Sequence, residues 1–211
     1  NAVVNSGALN VAASDDVVIN AIVGNISGGA GKTIGGSAFV NVVTGTTEAK
    51  IAKGANVTTT SKDVSVTADN KQSIRTIMVM GGGGQVAVNG SANVNVFNNN
   101  TLATVEDGVT IDSKGAVKVD AAEKTEVESI NIAASAGSNI AAGGVIYVNT
   151  FSSDVKATVG KKEGDQTSIT AGGDIDVNAD SKSAFGATMM MAGLGGTAGV
   201  SGAAVVNVVD A

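Results

Sequence analysis

The sequence contains no cysteine, histidine, proline or tryptophan. Because histidine and cysteine are missing, the usual ligands of zinc and haem are missing too, and the chain has no thiol nucleophile. Because no disulfide can form, stability must come from regular packing and from hydrogen-bond ladders. A chain without cysteine is also compatible with export through a bacterial envelope, where a disulfide could hinder passage. We expect no metal site and no cofactor.

Charged residues are few, and their balance is acidic. Lysine and arginine number 13, aspartate and glutamate number 19, and the net charge is −6. This balance argues against binding to nucleic acid or to an anionic membrane surface. Hydrophobic residues, mostly Val, Ala and Ile, make up 43% of the chain, which is enough for a packed core. This composition, with 29 glycines, favours strands over helices.

A valine-asparagine motif returns at almost constant spacing. Its central residues are Asn41, Asn95, Asn149 and Asn207, so successive copies lie 54, 54 and 58 residues apart. Such self-similarity marks a repeat architecture. Copies are expected at about 27–80, 81–134 and 135–192, with partial copies at 1–26 and 193–211. The extra residues of the longest copy are expected near Lys161–Asp165, in a polar turn.

Alternation of apolar and polar residues within a copy predicts strands. In the second copy the expected strands are Gln85–Asn98, Thr101–Glu106, Val109–Asp112, Ala116–Ala121 and Glu126–Ala134. Turns are expected at Asn98–Asn100, Asp107–Gly108 and Ser113–Gly115. The pattern predicts an all-β fold, a parallel β-helix or related β-solenoid, as a single segment over 1–211. With roughly 18–27 residues per coil, each repeat would form two or three coils in a rod of roughly 40–55 Å.

Stacked coils align equivalent residues in columns along a rod. The four motif asparagines are expected in amide-lined turns or in inward ladders, where side-chain amides bond along the stack. Phe97 and Phe151 share one repeat position and are expected to form an apolar core column. Val96 and Val148 are also placed near the core, so an aspartate at either position should unfold its coils.

No residue set predicts a catalytic site. Glu126 and Glu128 point to the same side of a strand and could serve as acid and base, but the other copies lack this pair. Polysaccharide-cleaving β-helices cluster Arg, Lys and Asp in a groove, whereas this chain has one arginine, Arg75, and only 2% aromatic residues. Tyr147 takes the repeat position of Phe39, so its expected role is structural. We predict a non-enzymatic protein.

Two patterns resemble ligand-binding motifs, one for phosphate and one for calcium, but neither matches its motif fully. Gly28–Thr33 resembles a phosphate-binding loop, but Ile26 stands where its first glycine would fall and the following residues do not predict a helix. Asp174, Asp176 and Asp180, partly repeated by Asp120, are expected on a solvated strand face. The glycine-aspartate nonapeptide of calcium-binding β-rolls is absent.

Long uncharged runs separate the charged segments. Ala187–Val209 is long enough to span a bilayer as a helix. However, the corresponding stretch Gln85–Asn95 alternates apolar and polar residues and carries too many amides for a helix facing lipid. Strands are therefore predicted in these runs as well.

Three segments, Gly143–Asn149, Gly172–Ala179 and Gly202–Val209, resemble the repeats of large bacterial exoproteins secreted by type V routes. These are filamentous haemagglutinin-like adhesins and the related fusobacterial leukotoxin. The resemblance covers essentially the whole chain and implies a right-handed parallel β-helix, an extracellular rod and adhesion, with cytotoxicity as an alternative. Because the shared motif is a fold motif, it transfers no functional residue.

The leading hypothesis is therefore a secreted or surface-bound rod that adheres to host or neighbouring cells through many weak, repeated contacts. Its expected partners are a host cell-surface protein or glycan, and a secretion partner in the outer membrane for the full-length protein. Membrane contact belongs only to the cytotoxin hypothesis. A polysaccharide-active enzyme ranks third. The chain starts without Met or a signal peptide, so we expect a segment of a longer protein.

Overall fold

A computed structural model describes residues 2–160 and 166–210 of the chain. These residues form an all-β structure of parallel strands, with no helix in the described ranges. The strands are β1 (Val3–Ser6), β2 (Leu9–Gly28), β3 (Lys32–Ile51), β4 (Asn56–Thr59), β5 (Val64–Val105), β6 (Thr110–Ser113), β7 (Val117–Val159), β8 (Ser168–Ala171), β9 (Ile175–Gly195) and β10 (Ala198–Asp210). Branched side chains favour this extended backbone because they pack well on a pleated surface.

The strands pair in four stacked layers. The short strands pair in the order β1-β4-β6-β8, while β2 and β3 both pair with β5, β5 with β7, and β7 with β9 and β10. Layer 1 therefore holds β1 to β3, layer 2 holds β4 and β5, layer 3 holds β6 and β7, and layer 4 holds β8 to β10. This arrangement is consistent with a β-solenoid. At the usual strand spacing of ~4.8 Å, the stack is about 15–20 Å thick.

Each layer uses far more sequence than the expected coil. Val64 pairs with Val117, Val86 with Ile140, and Val117 with Ile175. Paired residues are thus 53, 54 or 58 positions apart. The expected coil of roughly 18–27 residues is therefore wrong, and so is the rod length of roughly 40–55 Å that followed from it.

The long strands of layers 2 and 3 fold back at a glycine-rich bend. The register shifts between Gly84 and Val86, where the two sides of β5 meet. At the same bend in β7, a Cβ on Gly137 would lie 2.1 Å from the carbonyl oxygen of Ile140. Only glycine fits such a close approach. The bend brings the two sides of each layer face to face.

The expected turns are only partly confirmed. Asn98–Asn100 is not a turn, because it continues inside β5. A turn does occur at Asp107–Gly108, where Gly108 has a φ of 68°. The chain also bends at Lys114 and Gly115, between β6 and β7, although Ser113 of the expected turn is the last residue of β6. A Cβ on Gly115 would lie 2.1 Å from Asp63 Oδ1, so this turn also needs glycine.

The four extra residues enter the stack between Val159 and Ser168. Up to Val105 and Val159 the pairing offset is 54, whereas Thr110 and Ser168 are paired at an offset of 58. The turn expected at Lys161–Asp165 lies outside the described residues.

Alternate side chains point into the layers. In the valine-asparagine motif the asparagines point inward, which is one of the two arrangements expected for them, but the valines expected near the core point outward. Asn95 and Asn149 are 0% exposed. Val96 and Val148 lie on the outer surface and are partly exposed. Their placement near the core was wrong, because the motif turns its amides inward and its valines outward.

Three of the four motif asparagines form the inward ladder that the repeat predicts, whereas Asn41 Nδ2 and Asn95 Oδ1 have no hydrogen-bond partner among the described residues. Asn95 Nδ2 donates to Asn149 Oδ1 at 2.9 Å, and Asn149 Nδ2 donates to Asn207 Oδ1 at 2.8 Å. Asn93 Nδ2 donates to Ser129 Oγ at 2.8 Å and so joins the two sides of the stack. These bonds give the donating amide nitrogens of Asn93, Asn95 and Asn149 a partner and so offset the free-energy cost of burying them.

Apolar belts flank this polar belt. The predicted aromatic column is confirmed, since the ring centroids of Phe97 and Phe151 are 6.3 Å apart and those of Phe151 and Phe185 are 5.9 Å apart. A larger apolar cluster lies beside the short strands. Its most buried members are Val57, Val64, Val66, Val105, Val109, Ile111, Val117 and Val119.

A buried carboxylate lies between these two apolar regions. Glu123 is 2% exposed. It accepts hydrogen bonds from Asn99 Nδ2 at 3.3 Å, from Thr125 Oγ1 at 3.5 Å and from Ser153 Oγ. Asn99, which the sequence places in a turn, therefore serves to hold a buried acid.

Candidate functional site

The outer surface carries one continuous uncharged face. We define the neutral face as the outward side chains of residues 88–96 in layer 2 and their register partners in the other layers, 34–42, 142–150 and 200–208. All of these outward residues except Thr150 are Gly, Ala, Val or Ile. Exposed members include Val40 (63%) and Ile146 (52%). Such a face is available for contact with another surface.

A column of glycines runs through the centre of the neutral face. Gly36 pairs with Gly90, Gly90 with Gly144, and Gly144 with Gly202, so every layer contributes one. The column lies on the floor of a groove of about 970 Å³. One wall consists of Ala38, Ala92, Ile146 and Ala204, and the other includes Val88, Ala142 and Val200.

The fold does not require these four glycines. A Cβ would meet its nearest atom at 3.5 Å on Gly36 and at 3.8 Å on Gly90 and Gly144, and would meet nothing within 4 Å on Gly202. None of the four has a positive φ. Glycine in a strand destabilises the fold by about 0.5–1 kcal/mol relative to alanine. The four glycines therefore leave an open channel and lower the stability of the protein.

A buried amide supports the floor of the groove. Asn89 is 2% exposed, and its Nδ2 donates to Ser135 Oγ at 2.8 Å on the opposite side of the stack. Ser135 Oγ in turn donates to the Ala142 carbonyl at 2.8 Å. A Cβ on Gly35 or Gly82 would lie within 2.3 Å of the Asn89 amide, so a larger residue at either position would displace this amide. These hydrogen bonds connect the floor of the groove to the opposite side of the stack.

The acidic pair Glu126 and Glu128 lies on the opposite, charged face. Both side chains point to the same side of the strand, as the sequence predicts, and that side faces outward. Glu128 pairs with Arg75 at 3.3 Å and Glu126 pairs with Lys124 at 2.7 Å. Each carboxylate has its own cation, and neither is buried. This arrangement is that of a solvated surface rather than of an acid and base sharing one substrate.

The aspartates also lie among cations and amides. Asp120 pairs with Lys118 at 3.1 Å and accepts a hydrogen bond from Asn178 at 3.0 Å. Asp180 pairs with Lys182, and Asp176 is exposed. Within residues 2–160 and 166–210, no three acidic side chains come together as metal ligands.

The glycine-rich segment Gly28–Thr33 lies at the bend between β2 and β3. Its polar groups form hydrogen bonds with layer 2. The Gly29 amide donates to the Gly83 carbonyl at 3.1 Å, and Thr33 Oγ1 donates to the same oxygen at 3.2 Å. The Gly31 carbonyl accepts from the Gln85 amide at 2.7 Å. The segment thus makes the inter-layer contacts of a bend and leads into a strand.

Tyr147 is part of the interior. It is 0% exposed and packs in the cluster that contains Ile74, Phe97 and Phe151. Burial raises the pKa of its hydroxyl above the ordinary value of 10.0, and contact with the Asn149 side chain opposes part of this rise. The structural role predicted for this residue agrees with its position.

This pKa shift predicts a pH dependence of stability. The folded protein holds the phenolic proton more tightly than the unfolded chain, so the contribution of Tyr147 is complete below about pH 10 and decreases as pH rises above it. Wild type should therefore lose unfolding free energy between neutral pH and about pH 11 more steeply than Tyr147→Phe. Urea unfolding at several pH values measures both slopes. Equal slopes would contradict the expectation.

The groove was missed in the sequence for an identifiable reason. Gly36, Gly90, Gly144 and Gly202 recur with the same 54- and 58-residue spacings as the asparagines. Glycine-rich segments are ordinarily taken as turns. The glycines of the groove can be distinguished from the glycines that the bends require only when it is known which side chains point inward and which point outward.

Comparison of the chain with protein-family models, with curated protein sequences and with solved structures gives no significant match. The described part of the chain has no helix long and apolar enough to cross a membrane.

Proposed function

We propose that the chain is part of a right-handed parallel β-helix built from 54–58-residue repeats, in a secreted or surface-bound bacterial exoprotein of the filamentous haemagglutinin-like type. Its role is that of a non-enzymatic rod that adheres to host or neighbouring cells. The neutral face supplies the contacts. The partner is a protein or glycan of the cell surface, and an outer-membrane partner serves secretion of the full-length protein.

The observation that supports adhesion is the glycine column. A structural spacer would gain stability from alanine at each of the four positions, because the space is available. Glycine instead leaves an apolar groove of about 970 Å³ across all layers. Exposed apolar surface of this kind marks interaction sites on soluble proteins.

The layered arrangement makes weak contacts sufficient. Each layer contributes nearly the same set of small apolar side chains to the neutral face, and neighbouring layers are separated by about 4.8 Å. A partner that engages several layers at once gains from high effective concentration at each further contact. A longer stack of such layers would gain more, so affinity should increase with the number of layers.

Filling the groove tests this proposal. Gly144→Val places a branched side chain in the channel with room for its Cβ, and valine suits a strand. We expect the fluorescently labelled variant to keep the wild-type melting curve but to bind leukocytes and epithelial cells about 10-fold more weakly than wild type. Flow cytometry measures the binding.

Gly186→Val is the matched control. Gly186 also points outward and also leaves its Cβ 3.8 Å from the nearest atom, but it lies on the charged face beside Glu128. The control should bind like wild type. Equal binding by wild type and both variants would refute adhesion through the groove.

The second candidate function is cytotoxicity, and the same neutral face favours it. A charge-free surface with Val40, Ile146 and Val206 exposed at 63%, 52% and 47% could also contact lipid. Release of a trapped dye from the cells, followed in the binding assay, separates the two functions. Binding without release supports adhesion, while release that Gly144→Val abolishes supports the toxin.

A further inference from the structure

A glycine in layer 1 leaves a space inside the stack, away from the neutral face. In one inward column Gly45 pairs with Asn99 of layer 2, and Asn99 pairs with Ser153 of layer 3. Layers 2 and 3 therefore place a polar side chain at this position, and layer 1 places none. Apart from Gly45 and its two chain neighbours, only two atoms lie within 4 Å of the point that a Cβ on Gly45 would occupy. We call the surroundings of this point the Gly45 space.

Both atoms at the Gly45 space are oxygens that accept hydrogen bonds. Asp15 Oδ2 lies 3.8 Å from the Cβ point, and Asn99 Oδ1 lies 4.0 Å from it. Asn99 is 1% exposed, and its Oδ1 has no hydrogen-bond partner among the described residues. A buried acceptor without a partner destabilises a fold. The two oxygens together therefore form a binding site for a donor or a cation.

Glu123 holds the Asn99 amide in this orientation. Its Oε1 accepts a hydrogen bond from Asn99 Nδ2 at 3.3 Å. Because an ionised carboxylate only accepts hydrogen bonds, Asn99 must turn its nitrogen towards Glu123. The oxygen of the same amide then faces the Gly45 space, on the side of layer 1.

The charge around the Gly45 space is negative. Asp15, Asn70 and Glu123 follow one another in the facing inward column, so one acid lies in the layer on each side of Asn70. No lysine or arginine pairs with Glu123 in the described part of the chain. A cation between the two acids lowers the free energy of both carboxylates. A water molecule satisfies the oxygens but leaves the charge unchanged.

We propose that the Gly45 space binds a hard cation, Ca²⁺, with Asp15 and Asn99 as its protein ligands. Ca²⁺ takes carboxylate, amide and water oxygens at about 2.3–2.6 Å in flexible arrangements, whereas Mg²⁺ requires a near-ideal octahedron and loses water reluctantly. It needs neither histidine nor cysteine, whose absence led the sequence analysis to expect no metal site. Glu123 is a positioning residue, because it acts through Asn99.

Calcium titration of the purified chain tests the proposal. With two protein ligands and water in the other positions, we expect a Kd of about 0.1–1 mM, the range of weak extracellular calcium sites. Isothermal titration calorimetry measures this constant. In about 10 mM CaCl₂ the melting temperature should rise by about 3–10 °C relative to EDTA at the same ionic strength. MgCl₂ should produce a smaller rise.

Asp15→Asn removes the carboxylate ligand and should weaken calcium binding about 10-fold or more. Asp16→Asn is the matched control, since it changes the same charge one residue away, in the outward column of Lys71. It should bind calcium like wild type. Gly45→Ala places a methyl group in the space at ordinary contact distances, so it should fold normally but lose the calcium effect.

Three results would overturn the proposal. A wild-type chain that calcium neither binds nor stabilises would mean that water alone satisfies the two oxygens. Equal weakening in Asp15→Asn and Asp16→Asn would indicate general attraction of calcium to an acidic surface. Calcium binding that Gly45→Ala leaves unchanged would place the ion elsewhere.

Discussion

Asn149→Asp is expected to destabilise the protein by about 3–5 kcal/mol, the range for an uncompensated buried charge. The substitution hardly changes the volume of the side chain. It does put a carboxylate at a position that is 0% exposed, and it removes the donor to Asn207 Oδ1. No lysine or arginine contacts the ladder in the described part of the chain.

Val148→Asp provides the matched control for Asn149→Asp. It introduces the same group one residue away, on the outward side, where the side chain is partly exposed. We expect its urea midpoint to stay close to that of wild type, with a loss of at most about 1 kcal/mol. If Val148→Asp were instead the more damaging change, the assignment of inner and outer faces would be reversed.

Acid should partly rescue Asn149→Asp. A buried carboxylate has a raised pKa, so its destabilising effect is present at neutral pH and diminishes as pH falls and the group becomes neutral. Urea unfolding of wild type and variant at neutral pH and at about pH 4 measures this difference. A deficit that stays constant with pH would mean that lost shape or hydrogen bonding, rather than charge, causes the damage.

Phe151→Ala is expected to cost about 3–5 kcal/mol, because it removes a fully buried ring and leaves a cavity. Phe151 contacts Phe97 below and Phe185 above, so the loss affects three layers. For a chain of this size the melting temperature should fall by about 6–20 °C. Differential scanning calorimetry measures the change.

Ile146→Ala tests whether the effect of Phe151→Ala comes from burial. It shortens an apolar side chain in the same strand β7, but one that is 52% exposed on the neutral face. The expected loss is below about 1 kcal/mol. Similar losses in the two variants would mean that the aromatic column does not stabilise the stack.

The recurring asparagines were the sequence feature that predicted the largest part of the structure, namely the offset between paired strands and the amide ladder. Their spacings of 54 and 58 are the offsets at which strands pair, and their amides form the expected ladder. The number of coils per repeat could not be read from this spacing. An asparagine run is ordinarily a turn signal, yet Asn99 lies in a strand because Glu123, across the interior, accepts its hydrogen bond.

The choice of faces failed for a related reason. A valine-asparagine alternation fits a strand in either orientation, and the general tendency to bury valine selects the wrong one. The inward orientation of Asn95 becomes favourable only when Asn149 lies beside it in the next layer. The groove depends on the same strand orientation, so it could not be predicted from the sequence of a single repeat.

The register of the stack has a genetic consequence. Because each layer presents to the next the same surface that it receives, duplication or loss of a whole repeat-length segment leaves every junction intact. If a deletion removed an odd number of residues from one strand segment of a layer, the inward and outward side chains would be exchanged from the deletion to the next bend. The pairing offset rises from 54 at Val159 to 58 at Ser168, so four residues are added between these positions and the pairing resumes. Genes for such chains should therefore vary in length by whole layers and by short insertions between paired strands.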